Sequence, residues 1–214
     1  KKNKIILTNT PNAVKRPVAV ASLTMILSLA GNLFKKDQLL RDGKWNERTN
    51  YMGVGLSKKT LGIIGCGGIG REFVKISQHL FKKVISFDPN VSENEMKSIN
   101  IQKVDFNEIA YKSDFLVILC DLNEKTRGMI DKKFLEKMKS TSFIINLSRG
   151  PVVNENDLIF VLKHNKIAGA GLDVITNEPI ENTNELISLK NTILTPHSLC
   201  WTEECFDSIA SEAI

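Results

Sequence analysis

The stretch Leu61-Gly62-Ile63-Ile64-Gly65-Cys66-Gly67-Gly68-Ile69-Gly70 limits what this chain can fold into more than any other. An apolar run enters a Gly-x-Gly-x-x-Gly, and Ile69, Phe73, Ile76 and Leu80 then recur at helical spacing, which predicts one apolar helix face. The expected local structure is a strand, a tight turn and a helix. Gly65 permits the turn, Gly67 lets backbone come close to a pyrophosphate, and Gly70 lets helix and strand pack closely. Phosphates are favoured at such a helix N-terminus, where unpaired N–H groups and the helix dipole attract anions.

The surroundings of the glycines support this reading. A second apolar run, Lys83 to Phe87, ends in Asp88, which lies 18 residues after Gly70 and 23 after Gly65. A carboxylate there accepts hydrogen bonds from the adenosine ribose hydroxyls and repels the extra phosphate of NADP. Asp88-Pro89 alone is also ordinary turn chemistry. The glycines upstream favour the cofactor.

Beyond Asp88 the pattern alternates. Helix is expected near Glu93 to Ser98, from Asp105 to Tyr111, from Asp131 to Lys139 and from Asn154 to Lys163. Strands are expected at Ile101 to Val104, Phe115 to Leu119 and Phe143 to Asn146. Strands without polar alternation, separated by helices, mean a parallel sheet buried on both faces. The fold class is α/β, a doubly wound parallel sheet of the Rossmann type. Ligand should bind across the C-terminal strand ends, where Cys120, Asn146 and Asp173 are expected.

Ahead of the glycines, Ile5 to Thr8 reads as a short strand, and Pro17 opens a helix reaching about Leu40. Its first half is apolar on nearly every side, so it must be covered on more than one face. A partner subunit could supply that cover, and a homodimer is expected. Lys44-Trp45 begins an irregular arm leading to the fingerprint.

The apolar run from Val18 to Ala30 is interrupted by Ser22, Thr24 and Ser28 and is too short for a span of about 20 residues. No secretory signal is visible, so no membrane partner is expected. The net charge of +5 is scattered in pairs such as Lys58-Lys59 and Lys132-Lys133, as on a solvated surface. Nucleic acid would call for a basic stripe interleaved with aromatics, and there is none. The four cysteines show no C-x-x-C spacing, which suggests neither zinc nor a disulfide framework and makes a cytoplasmic setting the default.

Three further clusters carry chemistry. In Asn146-Leu147-Ser148-Arg149-Gly150, an arginine at a strand end faces the ligand crevice, and its planar fork suits a carboxylate; it could equally pair with a surface acid. Gly169-Ala170-Gly171-Leu172-Asp173-Val174 is a strand ending in an acid, followed by Glu178-Pro179, and a plain turn would read the same. Thr195-Pro196-His197 precedes Thr202-Glu203-Glu204, a helix start; a histidine so placed, taken alone, is more often structural.

Together, and in this order, these motifs resemble the D-isomer-specific 2-hydroxyacid dehydrogenase family. The resemblance runs from Asn9-Thr10-Pro11 and the Pro17 helix through Gly43-Lys44-Trp45 and Lys59 to Gly65, and on to Ser148-Arg149-Gly150, Leu172-Asp173-Val174, Glu178-Pro179 and Thr195-Pro196-His197. It implies NAD as cofactor and a small 2-keto or 2-hydroxy acid as substrate. It implies Arg149, Glu178 and His197 as the catalytic trio. Gly68 and Ile69 would hold the pyrophosphate, Asp88 the ribose and Asp173 the nicotinamide carboxamide. Cys120 and Asp121 would lie near the adenosine, with Ser148 also at the cofactor.

The residue types fit that chemistry. Reducing a 2-keto acid takes a hydride, a proton for the carbonyl oxygen and a cation for the carboxylate. His197 would supply the proton and Arg149 the cation, while Glu178 would favour the protonated imidazole and orient it. Two departures from the family pattern bear on subfamily only: Ser22 where many members carry Glu, and Asp121 where proline is common. Trp201 after His197 is similar to hydroxypyruvate and glyoxylate reductases.

Two alternatives share the scaffold: an NAD-sensing corepressor-like interaction protein, and an S-adenosylhomocysteine hydrolase-like enzyme, which lacks this Arg, Glu and His order. Family members also carry a substrate-binding domain built mainly from their N-terminal residues. Here 60 residues precede Leu61, and the chain starts at Lys1 and stops at Ile214 inside an expected helix. Residues 1–214 therefore read as the coenzyme domain, with 1–60 as interdomain strand, long dimerisation helix and arm. Such a piece alone should bind NADH without appreciable turnover.

Overall fold

The computed structural model describes residues 9–213, so the strand expected at Ile5 to Thr8 lies outside them. Seven strands, β1 (Thr60–Ile64), β2 (Lys83–Phe87), β3 (Ile101–Lys103), β4 (Phe115–Ile118), β5 (Phe143–Asn146), β6 (Gly169–Leu172) and β7 (Thr192–Leu194), form one sheet. Their order is β3-β2-β1-β4-β5-β6-β7, and every neighbouring pair is parallel. This is the doubly wound arrangement expected. Its strand order reverses between β1 and β4, which opens a crevice at their C-terminal ends.

Alternate residues along the strands feed two separate cores. Ile64, Ile85, Leu116, Ile118 and Ile144 pack on one face with residues of α5 (Phe106–Lys112), α6 (Lys132–Leu135) and α7 (Glu155–Lys163). Leu61, Ile63, Val84, Val117 and Ile145 pack on the other with α1 (Lys15–Gly31), α3 (Gly68–Ser77) and Met96 of the short α4 (Glu93–Lys97). A strand buried on both faces has no polar side to show, which is why β4 reads Phe-Leu-Val-Ile throughout.

Helix α1 is apolar because it lies over the sheet and against α3. Gly171 makes room for it: a Cβ there would run into the side chain of Met25. Ala19, Met25 and Ile26 are fully covered, whereas Val20 and Leu27 on the outer side remain almost half exposed. The single helix expected from Pro17 to Leu40 is instead two, α1 and α2 (Leu33–Arg41), bent by 56°. The break is Asn32, whose left-handed φ of 52° ends α1, with its N–H bonded to Leu29 O and Ser28 O. Asparagine reaches that conformation more readily than other non-glycine residues, and its side chain then holds the carbonyl of Met52 at 3.0 Å. The arm from Trp45 to Tyr51 is a 3-10 helix. No single helix among the described residues is long and apolar enough to cross a membrane.

Two other helices differ from expectation. Helix α3 buries Phe73 and packs Ile76 against the core as expected, and also buries Gly70, Val74 and Ser77, whereas Ile69 lies at the crevice and Leu80, on the 3-10 turn Gln78–Leu80 after the helix, is exposed. Close packing on β1 adds the small residues Gly70 and Ser77 to the contact, which a count of large apolar residues passes over. The stretch Asp131 to Lys139 is helical only over Lys132–Leu135, with Asp131 capping Phe134 N.

Candidate active site

The fingerprint forms the turn its glycines require. Gly65 has φ +98°, and a Cβ on it would lie 2.6 Å from the Cys120 nitrogen. Gly70 approaches the Gly65 carbonyl so closely that any side chain would collide with it. Gly67 faces open space, with nothing within 4 Å of where a Cβ would stand. As N-cap it hands over to Gly68, Ile69 and Gly70, the first three residues of α3, whose N–H groups have no partner within the helix.

These residues wall one side of a cleft of about 1120 Å³. Its other walls include Asp88, Phe106, Cys120, Asp121, Asn123 and Met129. Asp88 is fixed there by two backbone donors, Cys66 N at 2.8 Å and Asn90 N at 2.9 Å. Burial pushes the Cys120 thiol up to about 11, so it stands in the wall as a neutral, apolar group. The cleft has the features a dinucleotide needs: an open phosphate seat, an anion-attracting helix end, and a carboxylate at the end of β2.

Beyond β5, β6 and β7 lies a second cluster. Asn146, the last residue of β5, accepts from Ser148 N and Ser148 Oγ, both at 3.0 Å, and its amide donates to Arg149 O at 3.0 Å. That folds the chain so that Arg149 sits exposed while Ser148 is buried under it. Arg149 spends one donor on the Ser148 carbonyl at 2.7 Å. The rest of its guanidinium remains available.

Asp173 plays the corresponding part after β6. Its buried carboxylate accepts from Thr195 Oγ1 at 2.6 Å and from Ser198 N and Leu199 N at 3.1 Å. These bonds hold the loop on which His197 sits at φ 53°. The expected role of Asp173 was at the nicotinamide; the structure adds that it anchors the histidine loop, a tertiary role for which the sequence carries no local signal.

His197 Nδ1 and Glu178 Oε2 are 2.7 Å apart, and Glu178 Oε1 accepts from Ile175 N at 3.1 Å. The two side chains are 44% and 37% exposed, so this pair faces outward. Partial burial raises the Glu178 carboxyl, but the bond to His197, the Ile175 N–H and the charges of His197 and Arg149 outweigh it and hold it below the ordinary range. The arrangement therefore brings together Arg149, Glu178 and His197. His79 and His164 lie elsewhere, on the 3-10 turn Gln78–Leu80 and at the C-terminus of α7. Among the described residues no group of His, Cys, Asp and Glu is placed to hold a metal ion, and the four cysteines are unpaired.

Fold and cleft together define a doubly wound, dinucleotide-binding domain. Residues 23–198 match the family described as D-isomer specific 2-hydroxyacid dehydrogenase, NAD binding domain, and the chain belongs to that family. The chain is 36% identical over 215 residues to glyoxylate reductase from Thermococcus litoralis, with 98% of this chain and 65% of that protein covered. It is 34% identical over 200 residues to D-3-phosphoglycerate dehydrogenase from Archaeoglobus fulgidus, covering 94% of this chain and 38% of that protein. Among solved structures, D-lactate dehydrogenase from Aquifex aeolicus, complexed with NAD and lactic acid, superposes with a TM-score of 0.89 at 25% identity, covering 99% of this chain and 68% of that one. The chain thus spans less than two thirds of the length of the first of these relatives.

The depressed Glu178 carboxyl gives a pH dependence with a definite sign. A carboxyl held low in the folded state stabilises the fold above its unfolded-state pKa, and that contribution is lost as the pH falls through the lower folded-state value. Carbon-detected NMR titration should find Glu178 below the ordinary glutamate range, and His197→Ala should move it up. A carboxyl that does not respond to His197→Ala would contradict the pairing.

Proposed function

We propose that this chain is the coenzyme half of an NAD-dependent D-2-hydroxyacid dehydrogenase, which interconverts a small 2-keto acid and its D-2-hydroxy acid. The observation that carries the reading is the His197–Glu178 pair at 2.7 Å, with Arg149 close enough for its charge to act on the same carboxyl. NAD, when bound, supplies or accepts the hydride. Gly67, Gly68, Ile69 and Gly70 would hold its pyrophosphate on the turn that Gly65 permits, Asp88 its ribose, Cys120 and Asp121 its adenosine side and Asp173 its nicotinamide carboxamide, with Ser148 also at the cofactor.

The remaining work falls to side chains of this chain. With Nδ1 turned to Glu178, His197 offers Nε2 to the substrate and exchanges a proton with the substrate oxygen there. Glu178 stabilises the charged imidazole and fixes its orientation. Arg149 pairs its planar fork with the substrate carboxylate. The similarity to glyoxylate reductase and D-3-phosphoglycerate dehydrogenase supports a 2-keto acid substrate class.

In the full-length protein, His197→Ala should lower kcat by roughly 10²- to 10⁴-fold while NADH affinity stays nearly constant. Steady-state rates with a panel of 2-keto acids, set beside NADH titrations, check this; near wild-type turnover in the variant would remove His197 from the mechanism.

Asp88, pinned at the cleft wall, places a carboxylate where the additional phosphate of NADPH would come. NADH should therefore bind more tightly than NADPH, with Asp88→Ser narrowing the gap. Equal affinities in the unaltered protein would overturn that preference.

We further propose a cytoplasmic homodimer joined through α1 and α2, whose outer surface leaves Val20, Leu27, Leu33 and Phe34 between 46% and 58% exposed. Sedimentation at micromolar concentration should give the dimer mass. A monomer would refute the interface.

A further inference from the structure

Lys15 opens α1, and its side chain lies across the seat of the dinucleotide phosphates. A Cβ added to Gly68 would stand 2.5 Å from Lys15 Cε and 3.3 Å from Nζ. The space over the first residue of α3 is therefore filled by a side chain contributed from α1, 53 positions earlier in the chain, whereas Gly67 next to it stays open. Gly68 and Lys15 are complementary: one lacks the side chain whose place the other takes.

The ammonium is held there. Asn12 Oδ1 accepts from Lys15 Nζ, and an Arg16–Glu72 ion pair of 2.9 Å fastens the first turn of α1 to α3. Glu212 comes near, but its oxygens accept from the backbone of Asn12 and Ala13 and from the Asn12 amide. Lys15 forms no ion pair among the described residues.

Charge decides what this lysine does. The cleft is lined by the acids Asp88, Asp121 and Glu124 and by the cations Lys15 and Lys125. A dinucleotide pyrophosphate carries two negative charges, and a helix N-terminus offers only roughly half a positive charge. We propose that Lys15 is a cofactor-binding residue that supplies the missing cation to the pyrophosphate over Gly68. This rests on the placement of the pyrophosphate at Gly67 to Gly70, and the test separates the two.

NADH is titrated by fluorescence into the unaltered chain and into Lys15→Met, Lys15→Arg and Gly67→Val, with ADP-ribose and adenosine as competitors. Lys15→Met keeps an aliphatic stem over Gly68 and removes the charge. Loss of a charge-assisted contact should weaken NADH and ADP-ribose about tenfold and leave adenosine unchanged. Lys15→Arg should bind nearly as the unaltered chain does, and added salt should shrink the difference between Lys15→Met and the parent. Thermal melting of each variant confirms the fold.

Undiminished NADH and ADP-ribose binding by Lys15→Met would overturn the assignment, and so would equal losses in Lys15→Met and Lys15→Arg, which would point to shape rather than charge. Gly67→Val fills the open phosphate seat. If it binds NADH normally, the pyrophosphate placement is wrong and Lys15 falls with it; if it abolishes binding while Lys15→Met has no effect, only the lysine assignment fails.

Discussion

The approach of α3 to β1 is tolerated only because two Cβ atoms are absent. Gly70 lies against the Gly65 carbonyl, and Gly65 itself turns at φ +98° against the backbone of Cys120. With those two contacts, the N-terminus of α3 is fixed at the reversal point of the sheet and the Gly67 edge is left open. Widening either contact would move the free N–H groups of α3 away from the crevice, since the helix is held as a rigid rod by Phe73 and Val74 in the core. Backbone geometry thus decides where phosphate can sit before any side chain takes part.

A second regularity lies at the carboxyl ends of the strands. Asp88 after β2, Asn146 at the end of β5 and Asp173 after β6 each turn acceptors toward the backbone of a neighbouring loop. A hydrogen bond to a charged group, as at Asp88 and Asp173, contributes roughly 1.5–3 kcal/mol net, one to a neutral amide such as Asn146 roughly 0.5–1.5 kcal/mol, and an orphaned buried donor costs roughly 1–3 kcal/mol. Three such anchors are enough to choose one loop conformation among many. That is how Cys66, Arg149 and His197, on otherwise irregular segments, are held in register with the sheet. The loops carry the chemistry, and the strand ends fix where the loops go.

Much of this was legible in the sequence where one local rule dominates. Strands β4 and β5 are apolar throughout because both faces are buried, and their positions follow directly. The N-caps Asp105, Asp131 and Asn154 follow from side-chain oxygens placed before apolar runs. The misses occur where tertiary contacts override local pattern. The long helix breaks at Gly31-Asn32, a turn pair inside the apolar run, and the Asn32 amide is engaged by the arm at Met52. Helix α3 hides part of its contact face in Gly70 and Ser77, beside Phe73 and Val74. Lys15 escaped notice because its partner in space, Gly68, is distant in sequence, and the signal that could have revealed it was a lysine at the start of a helix that must pack on the fingerprint helix.

The outward-facing trio sets a physical condition on its chemistry. A Glu–His pair more than one third exposed on each side is screened, and exposed ion pairs of this kind are worth about 0–1 kcal/mol. The same pair in a site closed to water acts in a lower dielectric, where its influence on a bound oxygen and that of Arg149 on a carboxylate grow severalfold. Beyond β7 the described chain leads into α8 (Glu203–Ala213), whose Glu212 accepts from the backbone just ahead of α1. That contact brings the two ends of the described chain together beside Lys15, at the border of the crevice.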